Sequence, residues 1–129
     1  GYEAVNVEAQ QREPASLLNW MKRLIAVRRS SQAFGRGQLE MLLPGNRKIL
    51  AYIREYGSEI VLCVANLSRS AQPVELDLRR FKGLVPVEML GQTAFPPIND
   101  APYLLTLHRY GFYWFRLSQT APPAWHEDK

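Results

Sequence analysis

The chain has 129 residues, of which 47% are apolar and 22% charged, and a formal net charge of +4, which is typical of one globular domain. This composition argues against a disordered or collagen-like chain, and no apolar run approaches the ~20 residues that span a bilayer. The chain has one cysteine, Cys63, so an intrachain disulfide cannot form, as expected of a cytoplasmic protein. Because the sequence begins with Gly1 and has no secretory signal pattern, we expect it to be a piece of a longer cytoplasmic protein.

The first predicted element is a long amphipathic helix over residues 16–34. Ser16 is a suitable N-cap, apolar residues recur at the helical period, and Gly35 follows the last turn. At about 100° per residue the apolar arc reaches about 200°, which is wider than a helix resting on one surface needs. We therefore expect the helix to lie between two layers, with Arg28 either snorkelling or pairing with a carboxylate.

After Gly37 the pattern changes to short segments typical of strands, separated by turns rich in Gly, Pro, Asn and Ser. Seven closely spaced strands without intervening helices predict a mainly β fold, an antiparallel β-sandwich preceded by the helix. The predicted domains are an N-terminal segment with the helix over 1–37, the sandwich over 38–118, and a Pro-rich linker or tail over 119–129. The predicted strands are residues 39–43, 49–54, 60–66, 74–78, 84–90, 103–108 and 112–117.

Two of these segments also predict burial. Residues 60–66 are apolar almost throughout, so we expect a central strand covered on both faces, with Leu62 and Val64 fully buried. Residues 74–78 alternate cleanly, which predicts one inward and one wet face. The inward residues would be Val74, Leu76 and Leu78.

The sequence offers little support for metal binding or nucleophilic catalysis. His108, His126 and Cys63 lack the spacing of metal ligands. Cys63 lies in the most apolar strand, where a buried thiol is ordinary, and a Ser-His-Asp triad cannot be recognised from residue types alone. We therefore predict no catalytic residue, no metal ligand and no cofactor.

Paired carboxylates could perform glycoside chemistry, and six are available. A raised carboxyl pKa needs burial or a close like charge, whereas these residues flank turns or lie on faces predicted to be wet. We expect nearly all of them to be solvated surface groups. The six are Glu55, Glu59, Glu75, Asp77, Glu88 and Asp100.

Two further patterns have plain explanations. Residues 1–36 hold six basic and three acidic side chains, but no recognised nucleic-acid module accompanies this charge. Asn66, Leu67 and Ser68 fit the glycosylation sequon, yet nothing marks the chain as secreted, so we expect Asn66 to support the turn after its strand. We predict neither a nucleic-acid nor a membrane partner.

The densest aromatic cluster lies at residues 110–115. A platform for sugar rings or bases needs aromatic rings on one exposed face. Alternation instead places Phe112 and Trp114 on one side of the strand and Tyr113 and Phe115 on the other, which favours core or interdomain packing. The alternative is a carbohydrate-binding surface, for which the candidate rings are Tyr110, Tyr113 and Trp114.

Five segments stand out together: VNVEAQQ at 5–11, SLLNWMKRLIAVR at 16–28, PGNRK at 44–48, CVANLSRS at 63–70 and YGFYWF at 110–115. They resemble the C-terminal region of the bacterial trehalose synthases, maltose α-D-glucosyltransferases of the α-amylase family. The helical segment alone would indicate only the wider family, and the last two segments narrow the resemblance. The resemblance covers residues 2–117.

The resemblance implies a fold and a role. Members of this family have a catalytic (β/α)₈ barrel followed by a C-terminal β-sandwich, and some continue into a maltokinase domain. Residues 1–34 match the end of the barrel with its final helix, and 38–117 match the sandwich. The family's catalytic carboxylates lie on earlier barrel strands, and none of those motifs is present here.

The chain is therefore expected to be inactive alone, although its parent would interconvert maltose and trehalose. Its expected role is to stabilise the barrel and to mediate domain or subunit contacts. Without the barrel, the wide apolar arc of the helix also predicts self-association through residues 16–34.

Overall fold

The computed structural model describes residues 36–119 and, before them, Ala26, Val27 and Arg29. Those three residues are helical, but the rest of the helix predicted over residues 16–34 lies outside the described residues, so the long helix is not confirmed. Within the described part of the chain, no helix is long and apolar enough to cross a bilayer.

Among the described residues, eight strands form two antiparallel sheets. Short segments of alternating polarity become strands here because one face of each can be buried while the other meets water or a second layer. A 3-10 turn, Arg79–Phe81, follows the fourth strand. The strands are β1 (Gln38–Leu42), β2 (Ile49–Tyr56), β3 (Glu59–Asn66), β4 (Gln72–Leu76), β5 (Val85–Glu88), β6 (Thr93–Ala94), β7 (Tyr103–Leu107) and β8 (Phe112–Ser118).

The large sheet has the strand order β1-β2-β3-β8-β5-β6, and the small sheet pairs β4 with β7. We call the face of the large sheet that packs on the small sheet the inner face, and the opposite one the outer face. Residues in register form rows across the large sheet, and Ile53, Leu62 and Phe115 make one such row on the inner face. The next row, on the outer face, contains Cys63 and Trp114.

The inner face and the small sheet enclose one core, which makes the fold the predicted β-sandwich. Leu62, Phe115 and Leu107 have no exposed surface. Phe95 closes the core with edge-to-face contacts, its ring centroid 4.8 Å from that of Phe115 and 5.4 Å from that of Tyr113. Each large apolar side chain buried in this way contributes roughly 1.5–3 kcal/mol to the free energy of unfolding.

Both burial predictions are confirmed. β3 is the third of six strands in the large sheet, and Leu62 and Val64 are fully buried. The alternation over residues 74–78 is also correct, but the strand ends at Leu76, and Leu78 precedes the 3-10 turn. The three inward residues, Val74, Leu76 and Leu78, are all buried.

Two strand predictions need correction. The part of the chain that the structure describes has eight strands and not seven, because β6 has two residues and is too short to show an alternating pattern. The strand predicted over residues 84–90 ends at Glu88. It ends there because the Glu88 carboxylate accepts hydrogen bonds from the backbone N–H groups of Leu90 and Gly91, which turns the chain.

Candidate functional site

The centre of the outer face of the large sheet is apolar as well, which a sheet facing only water would not require. Val61, Cys63 and Met89 form a second buried cluster on this face. Tyr52 and Trp114 pack against the cluster, because they lie beside Cys63 in the register of β2 and β8. We call these five residues the outer-face cluster.

Val27 also packs against the outer-face cluster. This contact brings a helical residue that precedes the sheets onto the side of the large sheet opposite the sandwich core. The sequence predicts that the helix over residues 16–34 lies between two layers, one of them the sandwich. Of that helix, the described residues show one contact with the sandwich, that of Val27.

Charged and exposed apolar residues surround the outer-face cluster. The Arg116 guanidinium lies 3.6 Å from the Glu59 carboxylate at one side, where both groups are partly buried. Toward the sheet edge, Leu39, Met41 and Leu50 are exposed. An apolar centre with a charged rim is the usual arrangement of a protein contact surface.

The three rings considered for sugar binding lie in different environments. Tyr113 is buried and stacks on Phe115 in the core, with ring centroids 5.1 Å apart. Trp114 is half-buried on the outer face, tilted by 51° to the ring of Phe112. Tyr110 is exposed in the turn before β8, with a positive φ of 54°. The predicted alternation of the aromatic residues along β8 is confirmed. The three candidate rings do not share one exposed face, and sugar binding stays a prediction.

Asn66 joins three parts of the chain at the end of β3, and only 2% of its surface is exposed. Its Nδ2 donates to the carbonyls of Ser70 (2.8 Å) and His108 (3.0 Å), and its Oδ1 accepts from the Ser68 N–H (3.0 Å). Its own N–H donates to the Gly111 carbonyl at 2.8 Å. The prediction that Asn66 supports this turn is confirmed, and these bonds occupy the amide that a glycan would need.

Glu88 is the exception among the carboxylates predicted to be solvated, because only 2% of it is exposed. Its Oε2 accepts from the Leu90 N–H at 2.8 Å and its Oε1 from the Gly91 N–H at 2.6 Å. A carboxylate held in this way shapes a turn. A Cβ at position 91 would lie 2.9 Å from Glu88 Oε1, so the glycine at that position makes room for the carboxylate.

Ion pairs engage most of the remaining carboxylates. Arg80 pairs with Glu40 and lies 3.7 Å from Glu55. The Arg79 side chain donates to both oxygens of Asp77, at 3.0 and 2.9 Å, and these hydrogen bonds lower the pKa of Asp77. Such exposed ion pairs contribute little to stability. Their arrangement also differs from that of a glycosidase site, in which a buried carboxylic acid lies near a second, nucleophilic carboxylate.

The structure does not bring together the residues considered for other chemistry. Cys63 is buried in the outer-face cluster, and His108 is exposed after β7, while His126 lies outside the described residues. Among the residues that the structure describes, no three His, Cys, Asp or Glu side chains are grouped as metal ligands would be.

Comparison with known protein families agrees with the resemblance found in the sequence. A family model described as "Maltogenic Amylase, C-terminal domain" matches residues 39–114. The trehalose synthase of Pimelobacter sp. (strain R48) is 53% identical over 122 residues, which are 92% of this chain and 21% of that protein. The trehalose synthase of Thermus thermophilus is 49% identical over 117 residues, which are 90% of this chain and 12% of that protein. The chain thus spans about a fifth or less of the length of these relatives.

Solved structures agree on the fold. An Anoxybacillus α-amylase superposes with a TM-score of 0.71 at 21% identity, covering 86% of this chain and 24% of that one. The α-amylase of Geobacillus thermoleovorans gives 0.69 at 18% identity, covering 82% of this chain and 24% of that one. At these identities the likeness concerns the architecture alone.

Proposed function

Because the chain belongs to the maltogenic amylase C-terminal domain family, we propose that it is the non-catalytic C-terminal β-sandwich of a trehalose synthase-like enzyme. Its role is to stabilise a catalytic (β/α)₈ barrel that precedes it and to mediate domain contacts. The outer-face cluster carries the proposal, because a sheet that is apolar on both faces has a second packing partner besides the small sheet.

The positions of the strands support a division of the chain into three parts. The strands begin at Gln38 and end at Ser118, which supports a sandwich domain over 38–118. Residues 1–37 form the connection to the barrel, and the contact of Val27 with the outer-face cluster supports this assignment. Residues 119–129 form the linker or tail, to which a maltokinase domain is joined in some relatives of this kind.

The chemistry of the whole enzyme belongs to the barrel in this proposal. The parent interconverts maltose and trehalose with carboxylates held in a fixed pair geometry, and this domain supplies none of them. Cys63, the single cysteine of the sequence, is buried, and this is compatible with a cytoplasmic location.

Two measurements test the proposed function. The purified chain, incubated with maltose and followed by chromatography, should form no trehalose or glucose above a heat-denatured control. The whole enzyme, shortened by removal of residues 38–129, should lose activity on heating sooner than the intact enzyme, because the barrel then lacks its packing partner. Product formation by the isolated chain, or unchanged heat stability of the shortened enzyme, would overturn the proposal.

A further inference from the structure

We propose that one end of the sandwich is a docking surface for an acidic segment of a partner protein. The strand register brings three loops to this end, at residues 43–48, 67–71 and 108–111. Ile49 lies opposite Asn66, so the first two loops are neighbours. The pairing of β4 with β7 places the second loop beside the third.

Backbone hydrogen bonds join these loops to one another. The Leu67 N–H donates to the Lys48 carbonyl at 2.9 Å, and the Tyr110 N–H donates to the Ser68 carbonyl at 3.0 Å. The buried side chain of Asn66 adds hydrogen bonds to the second and third loops. The three loops therefore form one surface in advance, and a partner would not have to order them on binding.

The three loops carry basic side chains and no carboxylate. Residues 38–118 contain nine Lys and Arg and seven Asp and Glu. Four of the basic residues lie in these loops, whereas all seven acidic residues lie elsewhere. The four basic residues are exposed, as is His108 beside them. We call the four the basic loop cluster: Arg47, Lys48, Arg69 and Arg109.

The basic loop cluster also differs from the other basic residues of the sandwich in its ion pairing. Four of the remaining five form ion pairs with carboxylates, whereas within the part of the chain that the structure describes the basic loop cluster forms none. Like charges held together repel one another, and a partner with carboxylates would offset this repulsion. The pairs elsewhere are Arg79–Asp77, Arg80–Glu40, Lys82–Asp100 and Arg116–Glu59.

Exposed apolar side chains among these charges favour a protein as the partner. Leu67 is 62% exposed and Tyr110 is 46% exposed, in the same loops as Arg69 and Arg109. Arginine and tyrosine are enriched in protein contact surfaces, where apolar contacts add to charge complementarity. A single strand of nucleic acid would need several exposed rings for its bases, and Tyr110 is the one Phe, Tyr or Trp in these loops.

The partner that fits is therefore an acidic protein segment with apolar side chains among its carboxylates. Its carboxylates would pair with the basic loop cluster, and its apolar side chains would cover Leu67 and Tyr110. The surface lies at one end of the sandwich and shares no residue with the outer-face cluster, so this proposal does not rest on the proposed function.

Fluorescence anisotropy with the full chain and two labelled peptides tests the chemistry of the partner. The peptides carry equal negative charge, one as repeats of Glu-Leu-Glu-Gly and the other as repeats of Glu-Ser-Glu-Gly. We expect the leucine peptide to bind at least fivefold more tightly, and its binding to weaken as salt screens the exposed charges. Failure of the leucine peptide to bind, or equal dissociation constants for the two peptides, would overturn the proposal.

Two double variants with the same loss of charge test the location. Arg69→Gln with Arg109→Gln should raise the dissociation constant of the leucine peptide at least tenfold. The unfolding temperature should not fall, because these two side chains form no ion pair among the described residues. The control is Arg79→Gln with Lys82→Gln, beyond the far end of β4, which should change the dissociation constant less than twofold. Equal weakening by both double variants would show that net charge alone attracts the peptide, and would overturn the proposal.

Duplex DNA and vesicles that contain phosphatidylserine test other negatively charged partners. At physiological ionic strength we expect both to bind the chain more weakly than the leucine peptide does. A surface with four basic residues retains little affinity for DNA at that salt concentration, because its binding depends on the release of counterions. Tighter binding of the DNA or of the vesicles would overturn the assignment of a protein partner.

Discussion

At the scale of single residues, two buried polar side chains hold the points at which the chain leaves its sheets. Asn66 ties the end of β3 to the turn between β7 and β8, and Glu88 ends β5. The side chains of Asn66 and Glu88 form hydrogen bonds with backbone groups that would otherwise be buried without a hydrogen-bond partner. This explains why polar residues lie among apolar neighbours at these two positions. Their value is therefore structural, and replacing them should lower stability.

Asn66→Ala should lower the free energy of unfolding by about 3 kcal/mol, because it leaves several backbone groups without a partner in a buried place. Urea denaturation of the purified chain measures this. The control is Asn99→Ala, which removes one exposed hydrogen bond to the Ala101 N–H and should change stability by less than about 1 kcal/mol. If both changes lowered the free energy of unfolding equally, the hydrogen bonds of Asn66 would contribute no more to stability than one exposed hydrogen bond.

Gly91→Ala should destabilise the chain by about 1 kcal/mol, the low end of the range for overpacking, because the contact is with the end of a flexible side chain. The new Cβ would lie 2.9 Å from Glu88 Oε1 and would push the carboxylate away from the turn. Gly45→Ala is the matched control, since nothing lies within 4 Å of its Cβ. Thermal unfolding of both variants gives the comparison, and a neutral Gly91→Ala would contradict the turn-forming role of Glu88.

The buried hydroxyl of Tyr103 predicts how the stability of the chain changes at alkaline pH. Burial raises the pKa of Tyr103 to about 12 from 10.0, and its hydroxyl donates to the Pro96 carbonyl at 2.7 Å. The folded state thus holds this proton more tightly than the unfolded state. The stability from Tyr103 is complete below pH 10 and is lost as pH rises toward 12. Tyr103→Phe should make the free energy of unfolding fall less steeply between these pH values, and parallel curves for both proteins would refute the assignment.

At the scale of elements, the sequence predicts the strands well wherever apolar residues alternate or run together. β3 and β4 carry such patterns, and their buried residues were predicted correctly. β6 is too short to have a pattern, and the end of β5 depends on the side chain of Glu88, which periodicity does not reveal. The apolar run at residues 60–66 predicts a strand buried on both faces, but it does not identify the residues that pack on the outer face. The sequence therefore predicts that an outer apolar cluster exists, but not which residues form it.

Leu62→Ala should lower the free energy of unfolding by ~2–5 kcal/mol, the range for large-to-small changes in a packed core. Cys63, the next residue, should react slowly with thiol reagents in the native chain, because it is buried on the opposite face of β3. Leu67→Ala, at an exposed position just after the strand, is the control and should be nearly neutral. A neutral Leu62→Ala together with rapid labelling of Cys63 would contradict the placement of β3.

At the scale of the whole molecule, the chain is a two-sheet sandwich whose large sheet has one face in its own core and another apolar face outside it. It spans about a fifth or less of the length of the trehalose synthases to which it is similar. In the proposed function this domain contributes to its enzyme through contact and not through chemistry. The proposed barrel contact uses the centre of the outer face.

Trp114→Ala in the whole enzyme tests the central claim most directly. Trp114 belongs to the outer-face cluster, whereas Leu104 is exposed on the far side of the small sheet, so Leu104→Ala is the matched control. We expect Trp114→Ala to shorten the half-life of activity at elevated temperature, and to lower the unfolding temperature more in the whole enzyme than in the isolated chain. Leu104→Ala should change neither quantity. Equal half-lives for the two variants, or the same loss of stability with and without the barrel, would contradict the account.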